Sequence, residues 1–352
     1  MRKEKIAVGI LGATGAVGQR LVALLENHPW FELTEVAASD RTAGHSYGEA
    51  VHWLLPSPIP EKIKTLKIKE CLPTLNCQLV ISALPADVAR SVEMEFARAG
   101  YVVSSNASAF RLEPDVPLVI PEVNPDHLQL IPRQKQRRGF DRGFLITNPN
   151  CSTISLVLVL KPLMERFGVR QVMVTTLQAV SGAGYPGVAS LDIIDNVIPY
   201  IPQEEDKLER EALKLLGRCD GKEVFPAPLT VSAQCNRVAT LDGHLECVSI
   251  KLETKPSMEE VISTLATFRG LPQELKLPTA PSHPIIVRSE PDRPQPRLDR
   301  ESERGMASVV GRIRPCSLLD FKMVILGHNT LRGAAGSALL NAELLVAQGM
   351  VG

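Results

Sequence analysis

The sequence predicts an α/β protein: a doubly wound parallel sheet, followed by an α+β domain with a mixed or antiparallel sheet. Three observations predict it. Over the first ~150 residues, short β-type runs alternate with helix-type runs, the pattern of parallel strands joined by helical crossovers. Beyond Asn150 the β-type runs lengthen and fewer helical stretches separate them, as in antiparallel or mixed sheets. The first apolar run also feeds directly into a glycine-rich turn and then a helical stripe. With 352 residues, the chain is long enough for two domains, each burying its own core.

In order, residues 6–11 form an apolar strand and residues 17–26 carry a helical apolar stripe. Strands are expected at 33–38 and 78–83, a helix at 87–99, and short strands at 101–104 and 118–120. The basic segment 134–142 reads as irregular. Residues 152–167 read as a helix, and long strands are expected at 171–180, 229–239, 244–253 and 323–326. Segment 277–303, rich in proline and charge, reads as a surface excursion and not as a strand. An Ala/Leu-rich helix at 331–348 could pack back on the first domain. The expected division is therefore 1–149, 150–330 and 331–352.

Composition narrows the function. Lys plus Arg and Asp plus Glu both total 39, so no global field favours nucleic acid or acidic membranes. No apolar run reaches the ~18 residues of a membrane span. Glycines interrupt the first apolar run too early for a secretion signal. Seven scattered cysteines without a CxxC pair argue against a disulfide framework and against a zinc site. A cytoplasmic setting is expected, with no metal and with small molecules as partners.

The glycine turn is Gly12-Ala13-Thr14-Gly15-Ala16-Val17-Gly18. Between a strand and a helix, such glycines give a tight turn, close approach to a pyrophosphate and close helix–strand packing. The helix start then offers free N–H groups to the phosphates. This is the sequence mark of a Rossmann-type domain, although the spacing is G-x-x-G-x-x-G. Past the second strand, Ser39, Arg41 and Thr42 form a compact donor set suited to a 2′-phosphate, beside Asp40; NADP is the expected cofactor. The alternative, less favoured, is that Arg41 simply faces solvent in a loop.

Asn148-Pro149-Asn150-Cys151-Ser152-Thr153 opens the helix of the second domain. A thiol at a helix N-terminus has its thiolate stabilised by free amides and the dipole. Asn150 could donate a hydrogen bond to a developing oxyanion. A free cysteine elsewhere would more often be a small buried hydrophobe. The base such a nucleophile needs is best sought in His244, seven residues after Arg237, though spacing alone does not unite them.

At this point the chain resembles the aspartate-β-semialdehyde dehydrogenase family, in its archaeal and fungal branch. The resemblance runs through Gly12–Gly18, 39–44, Ser82-Ala83-Leu84-Pro85, 148–153, 178–187, 235–244, 290–297 and 329–336. It implies an NADPH-dependent reduction of L-aspartyl-4-phosphate to the semialdehyde through a Cys151 thioester. Gln178 would orient the acyl group, His244 would be the acid/base, and Arg237 would grip the α-carboxylate. Glu204 (or its neighbour Glu205) would meet the substrate amine, with Lys207 and Arg111 near the phosphate. It also implies cofactor contacts from Gly12, Thr14, Gly15, Ala16, Val17, Gly18, Ser39, Arg41, Thr42, Ser82, Ala83, Leu84, Pro85, Ser181, Gly182 and Asn329, and a homodimer or homotetramer. N-acetyl-γ-glutamyl-phosphate reductase would carry a differently worded cysteine motif. Malonyl-CoA reductase would need no residue for an amine, so the Glu204/Lys207 region discriminates it. A catalytically silent NADP-binding sensor or assembly subunit would not be expected to keep cysteine, glutamine, arginine and histidine together.

Overall fold

The computed structural model describes residues 4–351; residues 1–3 and 352, which the expected domain bounds include, lie outside them. Six parallel strands make the first sheet: β1 (Ile6–Leu11), β2 (Phe31–Ala38), β3 (Ile68–Glu70), β4 (Leu79–Ser82), β5 (Val102–Ser105) and β6 (Phe144–Thr147). Their order is β3-β2-β1-β4-β5-β6, so the winding reverses between β1 and β4. In open sheets of this kind the crevice at the reversal receives ligands. The helix Ala16–Leu25 follows β1 through the glycine turn, and the helix Ala86–Arg98 follows β4.

The second sheet is mixed. It contains β7 (Val169–Gln178), β10 (Thr230–Arg237), β11 (His244–Leu252), β12 (Ile285–Val287), β13 (Ser308–Pro315) and β14 (Phe321–Gly327), in the order β10-β7-β11-β14-β13-β12. A two-stranded ribbon, β8 (Arg218–Cys219) and β9 (Val224–Phe225), stands apart. β10 runs parallel to β7, and β11 antiparallel to it. The C-terminal ends of β7 and β10 therefore meet the start of β11 at one edge of the sheet. The helix Cys151–Phe167, buried along nearly its whole length, packs beneath that sheet with Ile154, Val157, Leu158 and Leu163 in its core.

Three expectations are corrected. Residues 134–142 are not irregular: a helix spans Ile131–Arg138 and ends at Gly139, whose φ of 67° terminates it in the left-handed region. Its buried Gln134 brackets Leu145 through both amide atoms, which fixes the helix to β6. Within 277–303, Ile285–Val287 is an edge strand paired in parallel with β13, because three β-branched residues suit the sheet edge despite the prolines around them. Residues 118–120 make only an isolated parallel bridge, Leu118 to Thr147 at the end of β6, because Pro117 and Pro121 on either side bring no N–H to a longer ladder. The acidic helix Glu204–Leu215 adds a helix to the second domain that the strand-rich pattern did not suggest.

The chain ends in a π-turn, Leu331–Ala335, and the helix Gly336–Ala347. Ala338, Leu339, Leu344 and Leu345 share one buried core with Val8, Ile10, Val36 and Ile81 of the first sheet. No helix among the described residues is long and apolar enough to cross a membrane.

Candidate active site

At the glycine turn, Gly12 has a φ of +78°, and a Cβ there would lie 2.8 Å from the Ala83 carbonyl oxygen. A Cβ on Gly18 would lie 2.2 Å from the Gly12 carbonyl oxygen. Both glycines are thus required by backbone approach, one by the turn and the other by helix packing. The helix start at Gly15 has no side-chain cap, so its first amides remain for a ligand. Gln19 braces the turn: its Nε2 donates to the carbonyls of Thr14 and His52, and its Oε1 accepts from Leu54 N–H.

Thr14, Gly15, Ala16, Val17, Ala83, Leu84 and Pro85 line a cavity of about 650 Å³. Its far wall holds Cys151, Asn150, Gln178, Glu204, Lys207 and Arg111, closed by Ser181, Gly182 and Asn329. One cavity therefore runs from the phosphate-type turn to the thiol. A second hollow beside the turn is lined by Gly12, Ser39, Asp40, Glu70 and Leu72. Arg41 stands exposed outside that lining, and Thr42 turns its hydroxyl onto the Ser39 carbonyl at 3.1 Å. Ser82 is fully buried in β4, where its carbonyl accepts from both the main chain and side chain of Asn106. It supports the wall and does not line it.

Cys151 is the first residue of its helix, with Asn150 as N-cap: Asn150 Oδ1 accepts from the N–H of Ser152 and Thr153. One of the two Asn150 Nδ2 hydrogens goes to Glu204 Oε2 at 2.8 Å, so this side chain also places the neighbouring carboxylate. Burial, and then the Glu204 carboxylate, push the Cys151 thiol up to about 12, against the pull of Arg111, the Ser152 N–H and Arg237. The helix start alone does not deliver a thiolate here. A Cβ on Gly333 would sit 2.6 Å from Cys151 Cβ, so the π-turn needs glycine to pass the nucleophile.

Glu204 gathers the polar wall: Gln178 Nε2 lies 3.3 Å from it and Lys207 Nζ 3.2 Å. Glu205 faces the other way and accepts from Cys235 N–H at 2.9 Å. Of the two acids, Glu204 lines the cavity and Glu205 does not. Arg237 pairs with Gln178 in the β10–β7 register, and His244 begins β11 beside them. Both lie behind Gly182: a Cβ there would meet Arg237 Nη1 at 2.8 Å and His244 Nε2 at 3.2 Å. His244 Nδ1 accepts from Ala179 N–H at 3.1 Å, which leaves the ring proton on Nε2, a buried nitrogen with no partner in the protein. Burial and the nearby Arg237 hold His244 down to about 3, so the ring is neutral.

Sequence reasoning missed Gln19, Asn106, Glu211 and Gly333. Only the helical spacing of Glu211 from Glu204 offered a signal. Among the described residues, no group of three or more metal-ligand side chains occurs.

Fold and cavity define a class: an α/β nucleotide domain that presents its phosphate turn to a thiol on a second, α+β domain. Two family descriptions match in tandem, "Semialdehyde dehydrogenase, NAD binding domain" over residues 7–131 and "Semialdehyde dehydrogenase, dimerisation domain" over residues 160–332. An aspartate-semialdehyde dehydrogenase from Archaeoglobus fulgidus is 53% identical over 348 residues, covering 99% of this chain and 100% of the relative. One from Saccharomyces cerevisiae is 47% identical over 366 residues, covering 100% of both. The solved structure of the Candida albicans aspartate semialdehyde dehydrogenase with NADP superposes with a TM-score of 0.91 at 45% identity, covering 99% of this chain and 100% of that one. The chain belongs to the aspartate-semialdehyde dehydrogenase family, on the branch with archaeal and fungal members.

Proposed function

We propose that the chain catalyses the reversible, NADPH-dependent conversion of L-aspartyl-4-phosphate to L-aspartate-4-semialdehyde and phosphate, through a thioester on Cys151. The observation that carries this reading is the shared cavity, with the glycine turn at one end and Cys151, Gln178, Glu204, Lys207 and Arg111 at the other.

The glycine turn fits a dinucleotide, because its glycines let the backbone close in and the uncapped helix start supplies donors. Gly12–Gly18 and Ala83–Pro85 would hold the pyrophosphate, Ser181, Gly182 and Asn329 the nicotinamide end, and Ser39, Arg41 and Thr42 the 2′-phosphate. Bound there, the reduced cofactor supplies hydride to the thioester carbon.

The protein's own residues do the rest. Cys151 Sγ bonds to the acyl carbon, the C–O bond to phosphate breaks, and the thiol proton ends on the departing phosphate. Gln178 orients the acyl group. Arg237 offers a planar fork to the α-carboxylate, and Arg111 and Lys207 receive the phosphate. His244, with its proton on Nε2, donates a hydrogen bond to the oxyanion, whose collapse breaks the C–S bond, releases the semialdehyde and returns the sulfur to Cys151. A substrate ammonium seated on Glu204 cancels that carboxylate's hold on the thiol proton, which ties activation of the nucleophile to substrate binding. Glu204 and Lys207 in the cavity favour an amine-bearing substrate over a malonyl thioester.

The exposed apolar side chains of Leu191, Ile194, Val197 and Tyr200 support a homo-oligomer, a dimer or tetramer. The scattered free cysteines support a cytoplasmic setting. Phosphate-dependent NADP reduction with L-aspartate semialdehyde tests the activity. Reduction absent, or independent of phosphate, would remove it.

A further inference from the structure

We infer that Glu211 is a positioning residue for the phosphate subsite, holding the Arg111 guanidinium and the backbone amide next to the nucleophile with one carboxylate. The inference rests on the reading that Arg111 receives the phosphate. Glu211 is 1% exposed. Its Oε1 accepts from Arg111 Nη1 at 3.1 Å and its Oε2 accepts from Asn150 N–H at 2.6 Å. Asn150 is the N-cap of the cysteine helix, so no helical carbonyl serves its N–H, and Glu211 takes it.

Arg111 lines the cavity with two of its five N–H donors committed, one on Nη1 to Glu211 and one on Nη2 to the Asn106 carbonyl at 2.7 Å, while Nε is buried without a partner. A guanidinium fixed by a carboxylate and a carbonyl cannot fold away, and its remaining donors keep one direction. The same carboxylate offsets part of the arginine's charge, which allows a doubly charged phosphate to leave again.

The helix Glu204–Leu215 is the frame for this. Glu204, Lys207, Glu211 and Lys214 recur at helical spacing on one face. Glu204 and Lys207 enter the cavity, Glu211 holds the Arg111 side chain, and Lys214 Nζ binds the carbonyls of Arg111 at 2.8 Å, Glu113 at 2.7 Å and Val116 at 2.8 Å. One helix face thereby grips Arg111 by both its side chain and its main chain.

The test is steady-state kinetics of semialdehyde oxidation, varying phosphate and semialdehyde separately in wild type, Glu211→Gln, Arg111→Ala and the double variant. Glu211→Gln keeps the shape but can accept from only one of its two donors. KM for phosphate should rise about tenfold while KM for semialdehyde stays within about twofold, and Glu211→Gln should add little once Arg111 is gone. Arg111→Ala raising KM for phosphate while Glu211→Gln leaves it unmoved, or moves both KM values together, overturns the positioning role alone. An unchanged phosphate KM in Arg111→Ala would sink the subsite reading, and this inference with it. Should Glu211→Gln fail to fold, Glu211→Asp keeps the charge but is too short to span both donors. Its phosphate KM should rise several-fold, and a wild-type value would overturn the role.

Discussion

The two ends of the cavity are built from different material. At the nucleotide end the work falls to backbone: glycines that let carbonyl and amide groups approach, and a helix start without a cap. At the thiol end it falls to side chains from separate elements, with Gln178, Arg237 and His244 ending or beginning three strands and Glu204 and Lys207 rising from a helix. A backbone-built end tolerates almost any side chain that can be spared but no added atom. A side-chain-built end tolerates volume changes better than changes of chemistry.

The sharpest separation of the ends is Cys151→Ala, which should abolish turnover and leave NADP affinity near wild type by fluorescence titration. Cys151→Ser should be almost as inactive, since an alcohol has no accessible anion near neutral pH. Substantial turnover in the alanine variant would remove the thioester mechanism. Gly18→Ala comes next. Its Cβ would meet the Gly12 carbonyl oxygen at 2.2 Å, so backbone must move at a cost of about 1–3 kcal/mol. NADP affinity and melting temperature should fall together, while the rate at saturating cofactor changes less. Unaltered affinity would break the backbone account of that end.

Arg237→Lys should raise KM for the semialdehyde by one to two orders of magnitude, about 1.4–2.8 kcal/mol, because an ammonium cannot make the planar two-point contact. A substrate analogue lacking the α-carboxylate should show little difference between the two enzymes; an equal loss with it would return Arg237 to a structural role. Arg41→Ala should weaken NADP relative to NAD by about tenfold, the lower end for a charge-assisted hydrogen bond, since Arg41 is exposed. Equal losses for both cofactors would show that it does not read the 2′-phosphate.

The smallest effect concerns the free thiol. With its pKa raised to about 12, Cys151 should react with iodoacetamide at a rate rising about tenfold per pH unit between pH 7 and 10, as the thiolate fraction grows. Glu204→Gln removes a neighbouring negative charge and should quicken that reaction several-fold at fixed pH, on the order of 1 kcal/mol. A plateau near neutral pH in wild type would show a thiol already ionised.

The same contrast explains what the sequence revealed. Gly12, Gly15 and Gly18 are contiguous and lie between a strand and a helix, so the nucleotide end is written locally. Cys151 was legible from its place at a helix start. The pairing of Arg237 with His244 depends on strand register, which no spacing in the sequence encodes; the family resemblance brought them together. Glu211 was missed because a buried acid on an otherwise charged helix looks like a solvated face until its two donors are located 100 and 61 residues away. The edge strand Ile285–Val287 was hidden by its proline-rich surroundings, where local composition outweighed three β-branched residues.

The helix Gly336–Ala347 lies among β1, β2 and β4 side chains, and Ser104 Oγ donates to its Ala338 carbonyl at 3.1 Å. During synthesis, the first sheet is complete by residue 147, but the helix that covers it is made nearly 200 residues later. At about 5–20 residues per second, that sheet waits on the order of ten to forty seconds with one apolar face covered only in part, by Leu21, Val22 and Leu25 of the first helix. The order of translation therefore puts the nucleotide domain last to mature, although it is made first.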